Sequence, residues 1–307
     1  MTSLDPDALW RLATQKWAQI EAQLPDLAPA VALQRQLLQL ALDAAGGLEP
    51  GLSLNLSAEA IAAKLRRGVP AARNEPIAIP QRLAGFLPSI CTALAEGGAG
   101  DSAAHIRDAI VRTDIDAISL LRVSLARNQK AVRTSALHMG FAPDLVWLIG
   151  ELASSPLAHH LAEGCARTLI PPEKAPGAVF QWDRGYCPFC GSWPVFIEST
   201  SGARTARCSY CALGWPLSTP RCIYCGNAGA DFVSAAPDVS RPQSRVELCG
   251  TCGSYTKVLD VPAPVPFPLL AIDDLATMHL DSGAMNRGYG RPELFDIDAI
   301  EPGTSTC

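Results

Sequence analysis

The sequence predicts an α+β protein in which an all-α helical domain precedes small β modules and a short C-terminal helix. Apolar residues recur at helical spacing from about residue 5 to about residue 170, and beyond that point the period changes to two. Three prolines interrupt the helical pattern within 170–177. We therefore predict three regions: a helical domain at 1–170, tandem β ribbons at 176–268, and a C-terminal helix and tail at 269–307.

Glycine- and proline-rich stretches separate the predicted helices of the first domain. These stretches are 46–53, 67–80, 96–101 and 138–144. Their spacing predicts six or seven helices. Apolar runs such as 145–153 are shorter than the roughly 18 to 20 residues that a membrane span requires, so no span is expected.

The β region contains an internal repeat. The stretch from Cys187 to Cys211 is echoed by the stretch from Cys222 to Cys252. In each copy a Cys-x-x-Cys turn leads into a strand, a polar loop, a returning strand and another Cys-x-x-Cys turn. The repeat predicts a duplicated ribbon.

A second proline-rich stretch, at 261–268, closes the ribbon region. One helix is predicted over 273–285, where Asp273 or Asp274 could cap the first turn. A loop-like tail follows this helix.

Eight of the eleven cysteines form four Cys-x-x-Cys pairs. Two intervening residues let a tight turn aim both sulfurs at one point, and two such turns complete a tetrahedral four-sulfur site. A disulfide framework is the alternative. However, the N-terminus lacks the features of an export signal, so we expect the protein in the cytoplasm. The cytoplasm is reducing, and disulfides are unusual there. A thioredoxin-like redox motif normally occurs once, between a strand and a helix. The pattern therefore favours two metal sites of the zinc-ribbon or rubredoxin type.

Hairpin length predicts how the four pairs combine. A strand that leaves Cys190 and reverses within about 17 residues brings Cys208 back beside its origin, and the same holds for the second copy. The predicted metal ligands are Cys187, Cys190, Cys208 and Cys211 in one site, and Cys222, Cys225, Cys249 and Cys252 in the other. A site that joins the second pair to the third is a sterically possible alternative.

Four thiolates suit either zinc or iron, and they leave no open position at which the metal could activate water or a substrate. We therefore expect no catalysis at the metal, and the sequence shows no convincing catalytic constellation elsewhere. Glycine follows three of the pairs, at Gly191, Gly226 and Gly253, where a positive φ would turn backbone N–H groups toward sulfur. Ala212 follows the remaining pair, so that turn is predicted to differ slightly.

The remaining thiols and histidines are weaker candidates. Cys91 and Cys165 lie in apolar helical surroundings and are predicted to be core thiols, and Cys307 is terminal. His159 and His160 are neighbours on a helix and must face different directions, which favours surface or capping roles.

The cysteine region resembles the family of formate dehydrogenase accessory proteins called FdhE. The resemblance rests on "YCPFCGSWPV", "RCSYC", "RCIYCG", "RVELCGTCGSYTKVL" and "DDLATMHLDSGAMNRGYGRPELF", and it covers about residues 186–295. It implies a cytoplasmic protein with rubredoxin-like iron centres that is needed for the activity of respiratory formate dehydrogenases and acts on their catalytic subunit before or during export. Only the eight paired cysteines match a functional motif, and iron is favoured over zinc on this ground alone. Residues 1–170 match only in helical character and length.

Two functions of other classes remain open. A zinc-ribbon nucleic-acid-binding protein would carry a basic stripe, but residues 176–261 hold seven basic and six acidic side chains, and bound thiolates add negative charge. The net charge of the whole chain, −5, gives no general attraction to nucleic acid or to an anionic membrane surface. A rubredoxin-like electron carrier would cycle an iron centre by one electron.

Overall fold

The computed structural model describes residues 5–169, 182–235 and 241–293. The boundary that the prolines of 170–177 predict lies outside these ranges, so the three-region division stays a prediction.

The chain divides into two compact units. The first comprises the residues up to Leu54 together with Asn74–Gly164. The second comprises Asn55–Arg73 and the residues from Cys165 onward. A short helical segment from the N-terminal part of the sequence thus belongs to the unit that contains the ribbons, which no local sequence pattern predicts.

Nine α-helices precede the strands within the described residues, more than the six or seven predicted. They are α1 (Pro6–Gln23), α2 (Ala28–Gly46), α3 (Ala58–Arg66), α4 (Gln81–Ala84), α5 (Leu87–Leu94), α6 (Gly100–Val111), α7 (Ala117–Leu125), α8 (Gln129–His138) and α9 (Pro143–Leu169). A 3₁₀ turn at Pro25–Leu27 precedes α2, and a π-helical turn at Ala95–Ala99 precedes α6.

Side-chain caps explain breaks that glycine and proline do not mark. The connection between α6 and α7 contains neither residue, but the Asp116 carboxylate accepts a hydrogen bond from the Ser119 backbone N–H and so starts α7. Ser57 caps α3 and Asn128 caps α8 in the same way. Each cap satisfies a backbone donor at the helix start and contributes about 1 kcal/mol.

Large apolar side chains fill the interior of the first unit. Those with no exposed surface include Trp17, Leu83, Leu87, Ile106, Leu121, Ile149 and Leu157. The Trp17 indole N–H donates to the Gln34 side chain at 3.0 Å, which satisfies its polar edge. Among the helices of the described residues, none combines the length and apolar character needed to cross a bilayer.

The second unit contains one six-stranded sheet. Its strands are β1 (Pro194–Thr200), β2 (Ala203–Cys208), β3 (Gly214–Pro216), β4 (Phe232–Ser234), β5 (Ser244–Cys249) and β6 (Ser254–Asp260), in the spatial order β3-β2-β1-β6-β5-β4. The first ribbon supplies β1 to β3 and the second supplies β4 to β6. A parallel pairing of β1 with β6, in which Ile197 lies opposite Val258, joins the two. The predicted α+β class with tandem ribbons is confirmed, and the two ribbons share one sheet.

Strand length follows position in this sheet. The two strands at the joint, β1 and β6, have seven residues each, whereas the edge strands β3 and β4 have three each. Short edges offer few unpaired backbone groups to another chain, so this distribution protects the sheet from edge-to-edge association.

Two short helices follow the sheet, where the sequence predicts one. They are α10 (Leu270–Ala276) and α11 (Met278–Met285). The prediction that Asp273 or Asp274 caps the helix start is wrong, because α10 begins earlier in the chain. Leu269 and Leu270 at its start are buried, and the burial of these apolar side chains outweighs the preference of aspartate for the capping position. The break falls at Thr277, whose hydroxyl donates to the Asp273 carbonyl at 2.8 Å. Ala284 of α11 packs on Val246 and Tyr255, so these helices cover one face of the sheet.

Candidate metal centres

The structure brings the eight paired cysteines together in two groups of four. Within each group the sulfur atoms all lie within 4.8 Å of one another. The first group consists of Cys187, Cys190, Cys208 and Cys211, and the second consists of Cys222, Cys225, Cys249 and Cys252. This is the grouping that hairpin length predicts, and the alternative that joins the second pair to the third does not occur.

Sulfur–sulfur distances in both groups match a tetrahedral metal site. They are 3.6 Å for Cys187–Cys211, 3.5 Å for Cys190–Cys208, 3.8 Å for Cys190–Cys211, and 3.6 Å for both Cys222–Cys252 and Cys225–Cys249. Four sulfurs at about 2.3 Å from a central ion would be separated by about 3.8 Å. A disulfide would require about 2.05 Å. Each group therefore has the donor set and the spacing to hold one ion.

The turns that carry the cysteines share one backbone pattern. In the first turn the Gly191 N–H donates to the Cys187 carbonyl at 2.9 Å, and the Cys187 N–H donates to the Ser192 carbonyl at 2.8 Å. Gly191 has a φ of 85°, which folds the chain back around the sulfurs. In the second turn the N–H groups of Tyr210 and Cys211 both point at the Cys208 sulfur, at 3.4 Å. Such donors stabilise a thiolate.

The turn at Ala212 differs slightly from the other three, as predicted. Gly191, Gly226 and Gly253 each donate a backbone N–H to the carbonyl of the first cysteine of their pair, and the corresponding bond from Ala212 is missing. Ala212 has a φ of 57°, in the same left-handed region as the three glycines that follow the other pairs. This conformation costs an alanine roughly 1 to 2 kcal/mol. The Cys208 N–H donates to the Leu213 carbonyl at 2.9 Å, as its counterpart does in the first turn, so the structure of the ribbon overrides the local preference of alanine.

The first group is buried on all sides. The four cysteines are between 0% and 5% exposed, and the aromatic rings of Tyr186, Phe189 and Tyr210 beside them are also buried. Burial raises the pKa of the Cys187 and Cys211 thiols well above the ordinary value. Thiols in such a place lose their protons only when a metal cation binds among the sulfurs in their stead.

A loop from the N-terminal part of the chain closes one side of the first group. The N–H groups of Ala71 and Ala72 donate to the carbonyls of Pro188 and Phe189 at 2.8 and 2.9 Å, inside the first Cys-x-x-Cys turn. The Tyr186 hydroxyl donates to the Gly68 carbonyl at 2.7 Å. Sequence reasoning missed this contribution, because residues so distant in the chain leave no spacing signal.

The second group is open to solvent. Cys222 and Cys249 are buried, but Cys225 is only partly buried and Cys252 is exposed. Polar contacts line its rim: the Asn227 amide donates to the Thr251 hydroxyl at 2.6 Å. Burial raises the pKa of Cys249, but hydrogen bonds from the Cys252 backbone and the neighbouring thiols outweigh it and lower that pKa to about 7.

The first turns of the two ribbons touch. A Cβ atom at Gly185 would overlap the carbonyl oxygen of Ile223, so glycine is required at this approach. The Trp193 and Tyr224 rings meet edge to face with centroids 4.9 Å apart. Ile223 also packs with Ile197 and Val258 on the sheet. The two candidate sites thus belong to one continuous packed structure.

Three buried ion pairs in this unit were not foreseen. Arg207 contacts Glu198 at 2.8 Å within the first ribbon, and Arg204 makes a bidentate pair with Glu247 of the second. Lys257 has no exposed surface and contacts the carboxylate of Asp281 at 2.7 Å. In the sequence these residues resemble ordinary surface charges, because burial of a charge depends on distant partners.

The weaker candidates remain outside both groups. Cys91 and Cys165 are buried, and burial raises the pKa of each thiol to about 11, as expected for core thiols. His160 contacts the Leu52 carbonyl at 3.0 Å, and His159 lies 3.9 Å from Glu163. Cys307 lies outside the described residues.

Comparison with known proteins identifies relatives of part of the chain. The curated protein FdhE homolog of Aquifex aeolicus is 31% identical over 118 residues, which covers 37% of this chain and 41% of that protein. Protein FdhE of Escherichia coli is 33% identical over 121 residues, which covers 38% of each. The FdhE homolog of Rhizobium meliloti is 30% identical over 162 residues, which covers 48% of this chain and 53% of that protein. The match thus spans about two-fifths to half the length of these relatives, and no protein-family model matches the chain.

One solved structure shares the fold along almost the whole chain. The crystal structure of the FdhE protein from Pseudomonas aeruginosa superimposes with a TM-score of 0.59 and covers 92% of this chain and 93% of that one. At 20% identity this likeness shows the fold. Part of the chain is thus similar in sequence to curated FdhE proteins, and the chain shares the fold of the Pseudomonas aeruginosa FdhE protein.

Proposed function

We propose that the two cysteine groups hold one metal ion each and that these ions stabilise the ribbons. Support comes from the sulfur spacing, which fits a tetrahedral ion in both groups. Four thiolates also carry more negative charge than a buried site can hold without a cation. Iron is favoured by the resemblance to rubredoxin-like centres, and zinc fits the same donors.

An absorption spectrum with metal analysis tests this proposal. The full chain would be purified without oxygen, and its metal content would be measured per chain. Two ions per chain are expected, and a ferric four-sulfur centre would be coloured whereas zinc would not. The Cys187→Ser variant should lose one ion. A content of two ions in that variant would contradict the ligand assignment.

We further propose that the protein is a maturation factor for a formate dehydrogenase. In this role it binds the catalytic subunit in the cytoplasm and is not itself an enzyme. The observation that carries the proposal is the similarity to FdhE proteins. The closed donor sets add support, because a metal with four thiolate ligands has no position for a substrate.

A deletion strain and a binding assay test the maturation role. Loss of the gene should lower formate dehydrogenase activity and leave other cytoplasmic dehydrogenases unchanged. The purified protein should retain the catalytic subunit in a pull-down, and a Cys187→Ser/Cys190→Ser variant should not. The Cys165→Ser variant, which changes a buried thiol outside both groups, is the matched control and should bind normally. Full formate-dependent activity in a deletion strain without a paralogue would refute the proposal.

Buried charges argue against the nucleic-acid alternative. Of the basic residues in the ribbon region, Arg204, Arg207 and Lys257 are engaged in ion pairs with exposed fractions of 13% or less. Arg245 pairs with Asp260 at 2.9 Å. Few basic side chains of the described ribbon residues therefore remain to form the phosphate-binding stripe that nucleic-acid-binding ribbons use.

A further inference from the structure

The two cysteine groups differ in their access to solvent. In the first group all four cysteines are buried, and the most exposed of them, Cys190, reaches only 5%. In the second group Cys252 is exposed and Cys225 is partly buried. Because a dissolved oxidant must touch sulfur in order to react, the two groups should differ in reactivity even though their ligands are identical.

The surroundings of each group explain this difference. The buried aromatic residues Tyr186, Phe189 and Tyr210 lie in or next to the turns of the first group, and backbone hydrogen bonds join its first turn to Ala71 and Ala72. The turn that carries Cys252 has exposed neighbours, Gly250, Thr251 and Gly253, and the two smallest of these have no side chain that could cover a sulfur. The opening is therefore built into the sequence of the fourth turn.

We propose that the second cysteine group is an oxidation site, at which a peroxide converts Cys252 and Cys222 into a disulfide and releases the metal ion, while the first group stays intact. This inference rests on the proposal that both groups bind metal. Cys222 is the partner because its sulfur lies 3.6 Å from that of Cys252. Rotation of the exposed Cys252 side chain could shorten this separation to the roughly 2.05 Å of a disulfide.

The chemistry balances with hydroperoxide as the oxidant. The Cys252 thiolate attacks one peroxide oxygen, the O–O bond breaks, and a sulfenic acid and hydroxide form. The Cys222 thiolate then attacks the sulfenic sulfur, the S–O bond breaks, and a second hydroxide leaves as the S–S bond forms. The two sulfurs together lose two electrons, and the peroxide gains them and, with two protons, becomes two molecules of water. The metal ion is left with two of its four ligands and dissociates.

Metal release under peroxide tests the inference. The metal-loaded full chain would be treated with hydrogen peroxide, release would be followed with a chromophoric chelator, and disulfides would be mapped by mass spectrometry without reduction. We expect one ion to leave at least about tenfold faster than the other, since an opening cost of only about 1.4 kcal/mol at the first group has that effect. The fast phase should coincide with formation of a Cys222–Cys252 disulfide. Dithiothreitol should reduce this disulfide, and added metal should then bind again.

Matched variants identify the reacting sulfur. Cys252→Ser should remove the disulfide and the fast phase, whereas Cys211→Ser, at the equivalent position of the first group, should keep both. If Cys211→Ser fails to fold, the disulfide map of the unaltered chain still decides the question. Equal release from the two groups, faster release from the first, or release without that disulfide would overturn this inference alone. Absence of bound metal before peroxide is added would overturn the metal proposal together with it.

Discussion

The two ribbons repeat the same turns but differ in what surrounds them. In the first ribbon the cysteines and the aromatic residues next to them are buried, and the first turn is hydrogen-bonded to Ala71 and Ala72. In the second the cysteines reach solvent, and the contacts that hold the strands come from α11, through Ala284, and from the buried Lys257. The comparison shows that a repeated cysteine motif does not fix how far each copy is buried. Neighbouring segments decide that.

The largest effect is expected from a substitution that disrupts the first cysteine group. In Cys211→Ser the buried site loses a ligand that water cannot replace, so we expect the free energy of unfolding to fall by at least about 3 kcal/mol. In Cys252→Ser solvent can occupy the fourth position, and a loss of only about 1 kcal/mol is expected. Urea denaturation of the metal-loaded proteins measures both values. Equal losses would mean that burial does not distinguish the two sites.

The next effect concerns the helices that stabilise the second ribbon. Lys257→Met would leave the carboxylates of Asp274 and Asp281 beside a buried apolar group, so we expect a loss of about 3 kcal/mol, larger than that of Cys252→Ser. Thermal unfolding measures this loss. The double variant Lys257→Met/Asp281→Leu removes one of the two carboxylates that lose Lys257 and leaves Asp274 near Arg291, so it should recover part of the stability. An unchanged melting temperature for the single variant would contradict the role of Lys257.

A smaller effect is expected at the ion pair that links the ribbons. Arg204→Met leaves Glu247, which is 4% exposed, without its bidentate partner, and should cost about 2 kcal/mol. Arg245→Met is the matched control on the same sheet. Its partner Asp260 is 46% exposed, so a loss below about 1 kcal/mol is expected. Chemical denaturation compares the two variants, and a larger loss for Arg245→Met would refute the argument.

The smallest effect tests the loop that covers the first site. Tyr186→Phe removes the hydrogen bond to the Gly68 carbonyl and should cost about 1 kcal/mol. Hydrogen exchange at the Ala71 and Ala72 amides should become faster in this variant. Tyr224→Phe, which removes a longer bond of 3.3 Å in the second ribbon, should leave those amides unchanged. Unchanged exchange in Tyr186→Phe would show that the hydroxyl does not hold the loop.

Local signals in the sequence correctly predicted how the cysteines of the ribbons group together. The spacing of Cys187 and Cys190, and the hairpin length before Cys208, were sufficient to group the cysteines, because turns and hairpins are short-range structures. The helical character of the first domain also followed from periodicity. Helix number did not, since polar caps such as Asp116 end and start helices without glycine or proline.

Long-range contacts were beyond such reasoning. The parallel pairing of Ile197 with Val258 joins segments that are far apart in the chain, and neither strand carries a mark of its partner. The same holds for the loop at Ala71 and Ala72 and for the buried pair of Arg204 with Glu247. Ala212 shows the converse, a local preference overridden by the structure around it.

The parallel joint between β1 and β6 has a consequence for synthesis on the ribosome. All four cysteines of the first group, and the hairpin of β1 and β2, emerge before β6 is made. The first cysteine group can therefore assemble while the chain is still growing, but the inner edge of β1 stays unpaired until Val258 and its neighbours arrive. An exposed edge of seven residues is open to pairing with other nascent chains during this interval. Translation speed between the two ribbons should therefore influence how much of the protein aggregates.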